Sequence, residues 1–300
     1  MRSLKALLVA ALLLVGCSSK PAEPIKVLAP TGAPALSLVE QASLESENTI
    51  DFVTGSELLQ AELVKEDSEY DIIYAPVNLG VKMIQAGKSV YRLKAVITWG
   101  NLYVVGTSAD ALNRNKLTTF GEGSVVDFVL KNAIDLSKYE TQYFSSAQDV
   151  QAQILTGKAD LAMLAEPAVT ATIKKAKEKN IDLQVLVNLQ EEYQKSMNTQ
   201  TAGFPQAAIF VKEGSEEKVA DFLKGVETWT NTTAVETPEK IEELVESVGV
   251  DTLGVPSAAL SKATWAKQSI RYVDASTCTQ DLTTLLSLMN IEFSEEVLSK

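Results

Sequence analysis

Histidine is absent from this 300-residue chain, and cysteine occurs only twice. Histidine is the usual general base of enzymes and the commonest protein ligand of transition metals. Its absence excludes Ser-His-Asp and Cys-His hydrolases, His-ligated zinc sites and HExxH proteases. We expect no metal site, no cofactor and no catalytic residues in this chain.

Basic side chains are also scarce, with 27 Lys and Arg against 39 Asp and Glu, a formal net charge of −12. Affinity for nucleic acid rests on clustered Lys and Arg that neutralise phosphates, so we expect no nucleic-acid partner. With 46% hydrophobic and 22% charged residues, the composition is that of an ordinary globular protein. The length suits one large domain or two smaller ones.

The N-terminus contains an unbroken apolar run over residues 6–15, preceded by Arg2 and Lys5. The run is half of the roughly 20 residues that cross a bilayer, so it predicts a signal peptide over residues 1–16. The following Leu14-Val15-Gly16-Cys17 resembles the bacterial lipobox, which implies cleavage before Cys17 and lipidation of its thiol. The alternative is a plain signal peptide followed by a chance cysteine. Residues 17–24 contain Ser and Pro and predict a polar, lipidated tether.

Lipidation of Cys17 would leave Cys278 without a disulfide partner. A catalytic thiol needs an activating base, and no histidine exists to supply one. We interpret Cys278 as a buried or half-buried thiol without a catalytic role.

Short apolar strands alternate with helical stretches, which predicts an α/β fold with parallel strands. A first series has strands near residues 25–29, 50–53 and 71–74. A second series, with strands between residues 117 and 189, follows a break at Trp99-Gly100-Asn101. One more strand is expected at residues 206–211, and everything beyond it is expected to be helical, with Trp229 and Trp265 in the core.

Two segments carry a family resemblance in addition to the lipobox. The first strand ends in Pro30-Thr31-Gly32-Ala33-Pro34, and the segment 157–167 reads GKADLAMLAEP. With these segments in this order, the chain resembles a solute-binding lipoprotein of an ABC importer. It is most similar to the binding proteins for sulfonate, nitrate and thiamine precursors, and the resemblance covers essentially the whole mature chain.

The resemblance implies the type II periplasmic-binding-protein fold. This α/β fold has two lobes, each a mostly parallel sheet flanked by helices, joined by two crossover strands and followed by a helical C-terminal segment. The expected boundaries place residues 25–107 and 207–300 in lobe 1 and residues 108–206 in lobe 2.

Candidate ligand-binding residues lie where strands end and helices begin, because free N–H groups and the helix dipole point there. The candidates at these junctions and at the two crossovers are Thr31, Gly32, Ala33, Tyr74, Pro76, Asn78, Trp99, Asn101, Glu122, Ser124, Glu166 and Gln206. Each also has a purely structural interpretation. For example, Ser124 and Asp127 resemble a capping box, and Trp99 suits packing at the crossover as well as ligand stacking.

The candidate set also bears on the charge of the ligand. Glu122 and Glu166 lie near predicted cleft loops, and no Lys or Arg lies at the named junctions. This favours a neutral or cationic ligand. Tyr74 and Trp99 would suit a planar heteroaromatic ring, such as a thiamine-type pyrimidine or a flavin-like ring.

The function implied by the resemblance is capture of a small organic molecule by closure of the lobes around it. The expected partners are the small-molecule ligand and an ABC permease with a separate ATPase, since no stretch of the chain matches a P-loop. The protein is expected to be a monomer outside the cytoplasm, attached to the membrane by the lipid anchor alone. Two alternatives remain open: a surface receptor or adhesin with the same fold, and a small-molecule lyase with the same fold. The lipobox disfavours the lyase because lyases of this fold are cytoplasmic in character, and a related pyrimidine synthase consumes a histidine that this chain lacks.

Overall fold

The computed structural model describes residues 23–199 and 203–299. The expected signal peptide and the expected lipidation site, Cys17, lie outside the described residues. Within the described part of the chain, no helix combines the length and the apolar character needed to cross a membrane.

The strands belong to two sheets. They are β1 (Lys26–Pro30), β2 (Thr49–Val53), β3 (Ile72–Pro76), β4 (Tyr91–Thr98), β5 (Leu102–Gly106), β6 (Lys116–Phe120), β7 (Glu140–Phe144), β8 (Leu161–Ala165), β9 (Gln184–Asn188), β10 (Ala207–Lys212) and β11 (Ile270–Asp274). The helices that flank them are α1 (Ala33–Leu36), α2 (Val39–Ser43), α3 (Glu57–Leu63), α4 (Val77–Gln85), α5 (Val125–Ala133), α6 (Ala147–Leu155), α7 (Ala168–Glu178), α8 (Leu189–Met197), α9 (Glu216–Thr228), α10 (Ala234–Glu236), α11 (Glu239–Val248), α12 (Val250–Leu253), α13 (Ala258–Thr264) and α14 (Thr279–Leu288).

The two sheets share one pattern of strand order. Lobe 1 has the order β2-β1-β3-β10-β4-β11, and lobe 2 has the order β7-β6-β8-β5-β9. In each lobe, the strand that enters from the other lobe, β10 or β5, is inserted antiparallel to both of its neighbours. The strands β1 to β4 of lobe 1 and β6 to β9 of lobe 2 each share one direction. The expected two-lobed α/β fold with mostly parallel sheets is therefore confirmed, with one antiparallel insertion in each lobe.

The C-terminal segment is not entirely helical, contrary to expectation. Residues Ile270–Asp274 form β11, an edge strand that pairs antiparallel with β4. Ile270, Tyr272 and Val273 are strand-forming residues, so the sequence carries a strand signal here. The run lies among helical segments on both sides, which led to its prediction as part of a helical region.

Sheet membership places the first crossover at residues 99–101, between Thr98 of β4 and Leu102 of β5. This is earlier than the expected boundary at residue 107, because β5 pairs with β8 and β9 and so belongs to lobe 2. The second crossover ends where β10 begins, at Ala207. The crossovers are bonded to each other, since the N–H groups of Phe204 and Gln206 donate to the carbonyls of Trp99 and Thr98, at 3.3 and 3.0 Å.

The hydrophobic core is continuous through the crossovers, because Trp99 and Phe204 belong to one buried cluster with residues of both lobes. The inserted strand β10 is buried along Ala207 to Val211, as expected for a strand covered on both faces. Trp229 and Trp265 are also buried, and their rings meet edge-on at 5.6 Å. Their prediction as core residues is confirmed.

Cys278 is buried, with 4% of its surface exposed, and its thiol approaches the carbonyls of Asp274 and Ala275. Burial, with a further contribution from the carboxylates of Asp281 and Asp274, raises the pKa of the thiol to about 12. The side chain is therefore a protonated thiol at neutral pH, and its prediction as a buried thiol is confirmed.

Candidate functional site

A cavity of about 580 Å³ lies between the lobes. It is lined by Pro30, Ala33, Pro34, Gly55, Ser56, Leu59, Pro76, Asn78, Leu79, Thr98, Asn101, Ser124, Val125, Val126, Gln206 and Ala207. This volume is within the range of roughly 300–1,000 Å³ that is typical of small-molecule sites.

The cavity lies at the edge of the lobe-1 sheet where β1, β3 and β4 end. The helices α1, α3 and α4 begin at this same edge, a few residues after the strands that precede them. Lobe 2 contributes the first turn of α5, and the two crossovers contribute Asn101 and Gln206. Both lobes and both crossovers therefore contact the same space. In open α/β sheets this edge is the usual place for a ligand, because parallel strands deliver their following loops to it.

Both the backbone and the side chain of Asn101 take part in hydrogen bonds that hold the residue in place. Its Nδ2 donates to the carbonyl of Glu166 at 2.8 Å, and its own carbonyl accepts from the N–H of Glu166 at 2.8 Å. Because Nδ2 is committed to a carbonyl, the orientation of the amide is set and Oδ1 is the remaining acceptor. That oxygen is buried and has no partner, and the residue is only 8% exposed.

Asn78 lies in the first turn of α4, directly after the strand that ends at Pro76. Its Oδ1 is also buried without a hydrogen-bond partner. The start of α4 is tied to the second crossover, because the N–H of Val77 donates to the carbonyl of Gln206 at 3.0 Å. Asn78 and Asn101 thus place two unpaired amide oxygens on residues that line the cavity.

Asp127 supports the N-terminus of α5 from within lobe 2. Its buried carboxylate accepts from the N–H of Gly123 at 2.8 Å, from Lys131 at 2.7 Å and from the hydroxyl of Tyr143 at 2.6 Å. Burial pushes the pKa of Asp127 upward, but these hydrogen bonds outweigh burial and lower it below 3.8. The expected capping box does not form. The Ser124 hydroxyl donates to the carbonyl of Gly121 instead of accepting from the Asp127 N–H, and the Asp127 carboxylate accepts from the N–H of Gly123 instead of that of Ser124.

The structure brings six of the twelve candidate residues together around the cavity, namely Ala33, Pro76, Asn78, Asn101, Ser124 and Gln206. Thr31 and Gly32 are next to the lining but are engaged elsewhere. The N–H of Thr31 donates to the carbonyl of Val53 at 2.9 Å, and the N–H of Gly32 donates to that of Leu253 at 2.8 Å.

The two aromatic candidates lie in the core and do not line the cavity. Tyr74 is fully buried in a cluster with Ile209 and Phe222, and burial raises the pKa of its hydroxyl well above the ordinary range. Trp99 is fully buried as well, and the Arg271 guanidinium lies over its ring at 4.6 Å. No aromatic side chain lines the cavity in the described structure, so the argument for a planar heteroaromatic ligand loses its basis.

The two acidic candidates do not line the cavity either. Glu122 is exposed in the loop before α5. Glu166 is buried, and its carboxylate accepts from the N–H and the hydroxyl of Thr170 at 3.0 and 2.7 Å, with Lys267 at 3.8 Å. These two carboxylates therefore give no support to a cationic ligand.

Residues after β2 are the clearest omission from the candidate set. Gly55, Ser56 and Leu59 line the cavity at the start of α3. The rule that located the junctions after β1 and β3 applies equally to β2, so the sequence signal was available. Val125 and Val126 carry no such signal, since apolar residues in the first turn of a helix are more often core.

Comparisons with solved structures give the same architecture. An ABC transporter protein from Parabacteroides distasonis has a TM-score of 0.74 at 21% identity, covering 91% of this chain and 94% of that chain. The periplasmic aliphatic sulphonate binding protein SsuA from Escherichia coli has a TM-score of 0.60 at 16% identity, with coverages of 90% and 89%. The alkanesulfonate-binding protein SsuA from Xanthomonas axonopodis pv. citri, bound to MOPS, has a TM-score of 0.57 at 16% identity, with coverages of 94% and 96%.

The chain has the type II periplasmic-binding-protein fold. No protein-family model and no curated protein matches its sequence. Because one fold hosts many functions, the function is argued from the chemistry of the cleft.

Within this periplasmic-binding-protein fold, the cleft offers hydroxyls, amides and aliphatic groups. The polar lining residues are Ser56, Asn78, Thr98, Asn101, Ser124 and Gln206. Among the described residues, none of those lining the cavity is Asp, Glu, Lys, Arg, Cys or Tyr. The cleft can therefore hold a small molecule by hydrogen bonds and apolar contact, and its lining supplies no general acid or base.

Proposed function

We propose that the protein is an extracytoplasmic solute-binding lipoprotein of an ABC importer that captures a small organic molecule between its lobes. The observation that carries the proposal is that residues of both lobes and both crossovers line one and the same cavity. A ligand that contacts both lobes at once favours the arrangement in which they lie together, and so promotes closure.

The lining chemistry supports binding over catalysis. The cavity residues in the described chain supply no titratable side chain, whereas acid–base or nucleophilic catalysis requires one. The fold likeness to binding proteins of importers points in the same direction. The partners that we propose are the ligand, a permease and a separate ATPase.

The N-terminal sequence supports the location. A ten-residue apolar run behind two basic residues, followed by the lipobox-like segment that ends at Cys17, is the pattern of an exported lipoprotein. We propose that the mature chain begins at a lipidated Cys17 and is held at the cell membrane by that lipid, with residues 18–24 as the tether. The protein acts there as a monomer.

A thermal-shift screen of the soluble chain beginning at Ser18 tests the binding function. The compounds are pyrimidines, flavins, sulfonates, nitrate, amino acids and small uncharged amides and alcohols. A ligand present at 100 times its Kd adds about 2.7 kcal/mol to stability, which raises Tm by about two degrees or more. Small-angle scattering with that ligand should show a smaller radius of gyration, and an unchanged radius with every bound compound contradicts capture by lobe closure.

Membrane attachment has its own test. The Cys17→Ser variant, expressed with its N-terminal segment in a bacterial host, should move from the membrane fraction to the soluble fraction. The Cys278→Ser variant is the control, because it removes the other thiol and leaves the lipobox-like segment intact. Retention of Cys17→Ser in the membrane fraction contradicts lipid anchoring at this residue.

A further inference from the structure

We propose that the cleft takes an uncharged ligand with an aliphatic part and N–H or O–H donors, such as a carboxamide, a urea or an alcohol. The inference rests on the proposed function and specifies its substrate class. It differs from the sulfonates named for two of the structural neighbours, which are anions.

The first argument is the absence of charge from the lining in the described structure. None of the cavity residues is acidic or basic. A charged ligand enclosed there loses its hydration and gains no opposite charge in return, which strongly disfavours binding. The net charge of −12 over the whole chain further disfavours the approach of an anion.

The second argument concerns the helix N-termini at the cavity. Two helices longer than seven residues, α4 and α5, have their first turns at the cavity, and their N-termini could otherwise hold an anion. The first N–H of α4, that of Val77, already donates to the carbonyl of Gln206. Ser124, Val125 and Val126 place the first turn of α5 against the cavity. The buried carboxylate of Asp127 already occupies the positive end of this helix and takes the N–H of Gly123. This carboxylate, whose charge is balanced by Lys131, already uses the positive end of α5, so that helix end offers less to a second anion.

The third argument is the hydrogen-bonding character of the lining. Oδ1 of Asn101 and Oδ1 of Asn78 are buried acceptors without partners. Both side chains belong to the cavity lining, but neither oxygen has a surface open to the cavity, so a ligand reaches it only when the amide or the lobes shift. A buried acceptor that stays unpaired is costly, so a ligand with donors favours that shift, whereas a sulfonate or nitrate offers these oxygens only acceptors. An ammonium group could donate, but it would bring a charge that no carboxylate balances.

The apolar lining residues indicate the chemistry of the rest of the ligand. Leu59, Leu79, Val125 and Val126 present aliphatic surface, and Pro30, Pro34 and Pro76 add to it. With no aromatic face available among the described lining residues, stacking of a planar ring has no platform. An aliphatic body with a polar donor group matches both parts of the lining.

The test is a matched series of straight-chain carboxamides, ureas, alcohols, sulfonates and ammonium ions of equal chain length, measured by thermal shift and calorimetry on the chain beginning at Ser18. We expect at least one uncharged donor to bind about tenfold or more tightly than the sulfonate and ammonium of the same length. If no uncharged compound binds, or if a sulfonate binds more tightly, the ligand class is wrong. A sulfonate that binds and also compacts the protein would leave the proposed function standing.

A charge-swap variant provides an independent readout. Asn78→Asp keeps the shape of the side chain but places a carboxylate at the cavity. It should weaken the carboxamide about tenfold and bring the ammonium compound to equal or tighter binding. Asn180→Asp is the matched control, since it adds the same charge at an exposed loop residue and should leave the ranking unchanged. If both variants leave it unchanged, Asn78 does not contact the ligand and the proposal fails.

Discussion

Asn101 and Glu166 are joined by two hydrogen bonds of 2.8 Å, one from the Asn101 side chain and one to its carbonyl. This pair ties the first crossover to the end of β8 in lobe 2. The Asn101 side chain also belongs to the lining of the cavity, and its Oδ1 is buried without a partner. Asn101 therefore lies at the connection between the lobes and at the candidate site, so that a ligand in contact with this side chain would act directly on the hinge.

Gly203 brings the two crossovers into close approach. Its φ is +90°, and a Cβ added there would lie 2.0 Å from the carbonyl oxygen of Trp99. Gly203→Ala should therefore lower stability by about 2 kcal/mol or more, since backbone rather than a flexible side chain must move. Gly214→Ala is the matched control, because φ is +84° there and nothing lies within 4 Å. Equal losses of Tm in the two variants would show that the crossovers do not need this approach.

Tyr103 of β5 donates its hydroxyl to the carbonyl of Lys267 at 3.0 Å and so joins lobe 2 to lobe 1 away from the crossovers. Tyr103→Phe should lower the free energy of unfolding by about 1 kcal/mol. It should also increase the radius of gyration of the ligand-free protein, because the lobes lose this contact. Tyr139→Phe removes a comparable bond, to the carbonyl of Leu112 at 3.1 Å, within lobe 2. Tyr139→Phe should lower the free energy of unfolding by a similar amount and leave the radius of gyration unchanged. A radius unaffected in both variants argues against a role for Tyr103 between the lobes.

The thiol of Cys278 should be unreactive in the native protein. Its pKa is raised to about 12 from 9.0, so the folded state favours the protonated thiol. The resulting stability is fully present below pH 9 and declines as pH rises from 9 towards 12. In the chain beginning at Ser18, a colorimetric disulfide reagent at pH 8 should modify the thiol slowly without denaturant and at once in its presence. Rapid modification of the native protein would contradict this burial.

Asp127 should contribute to stability at neutral pH and lose that contribution in acid. Because its folded pKa is lowered below 3.8, the stabilisation is present above pH 3.8 and is lost as pH falls through the folded pKa. Asp127→Asn should therefore lower the free energy of unfolding by about 1–3 kcal/mol at pH 7, with a corresponding fall in Tm, and by less at pH 3. The exposed Asp182→Asn should change little at either pH. A deficit of Asp127→Asn that is as large at pH 3 as at pH 7 would exclude a role for the carboxylate charge.

The alternation of strands and helices could be predicted from the sequence because it depends on local periodicity. Apolar runs such as Ile72 to Ala75 and the helical spacing of Val219, Phe222 and Val226 carry their structure within a few residues. The strand-end junctions at Ala33 and Asn78 followed from the same local reading. For β11 a local signal existed too, in Ile270, Tyr272 and Val273, but its position among helical segments obscured it.

Which junction residues line the cleft was decided by the tertiary structure alone. Tyr74 lies within β3 and is buried in the core of lobe 1, whereas Asn78, four residues later, lies in the first turn of α4 and lines the cavity. Likewise, the antiparallel insertion of β5 and β10 depends on pairing between strands far apart in the chain, which no local pattern encodes. The sequence by itself determined the elements and their order, since these are set by neighbouring residues. The uncharged lining of the cleft emerged only from the tertiary structure, because packing buries Trp99 in the core and Glu166 beside Thr170, and Glu122 is exposed in the loop before α5.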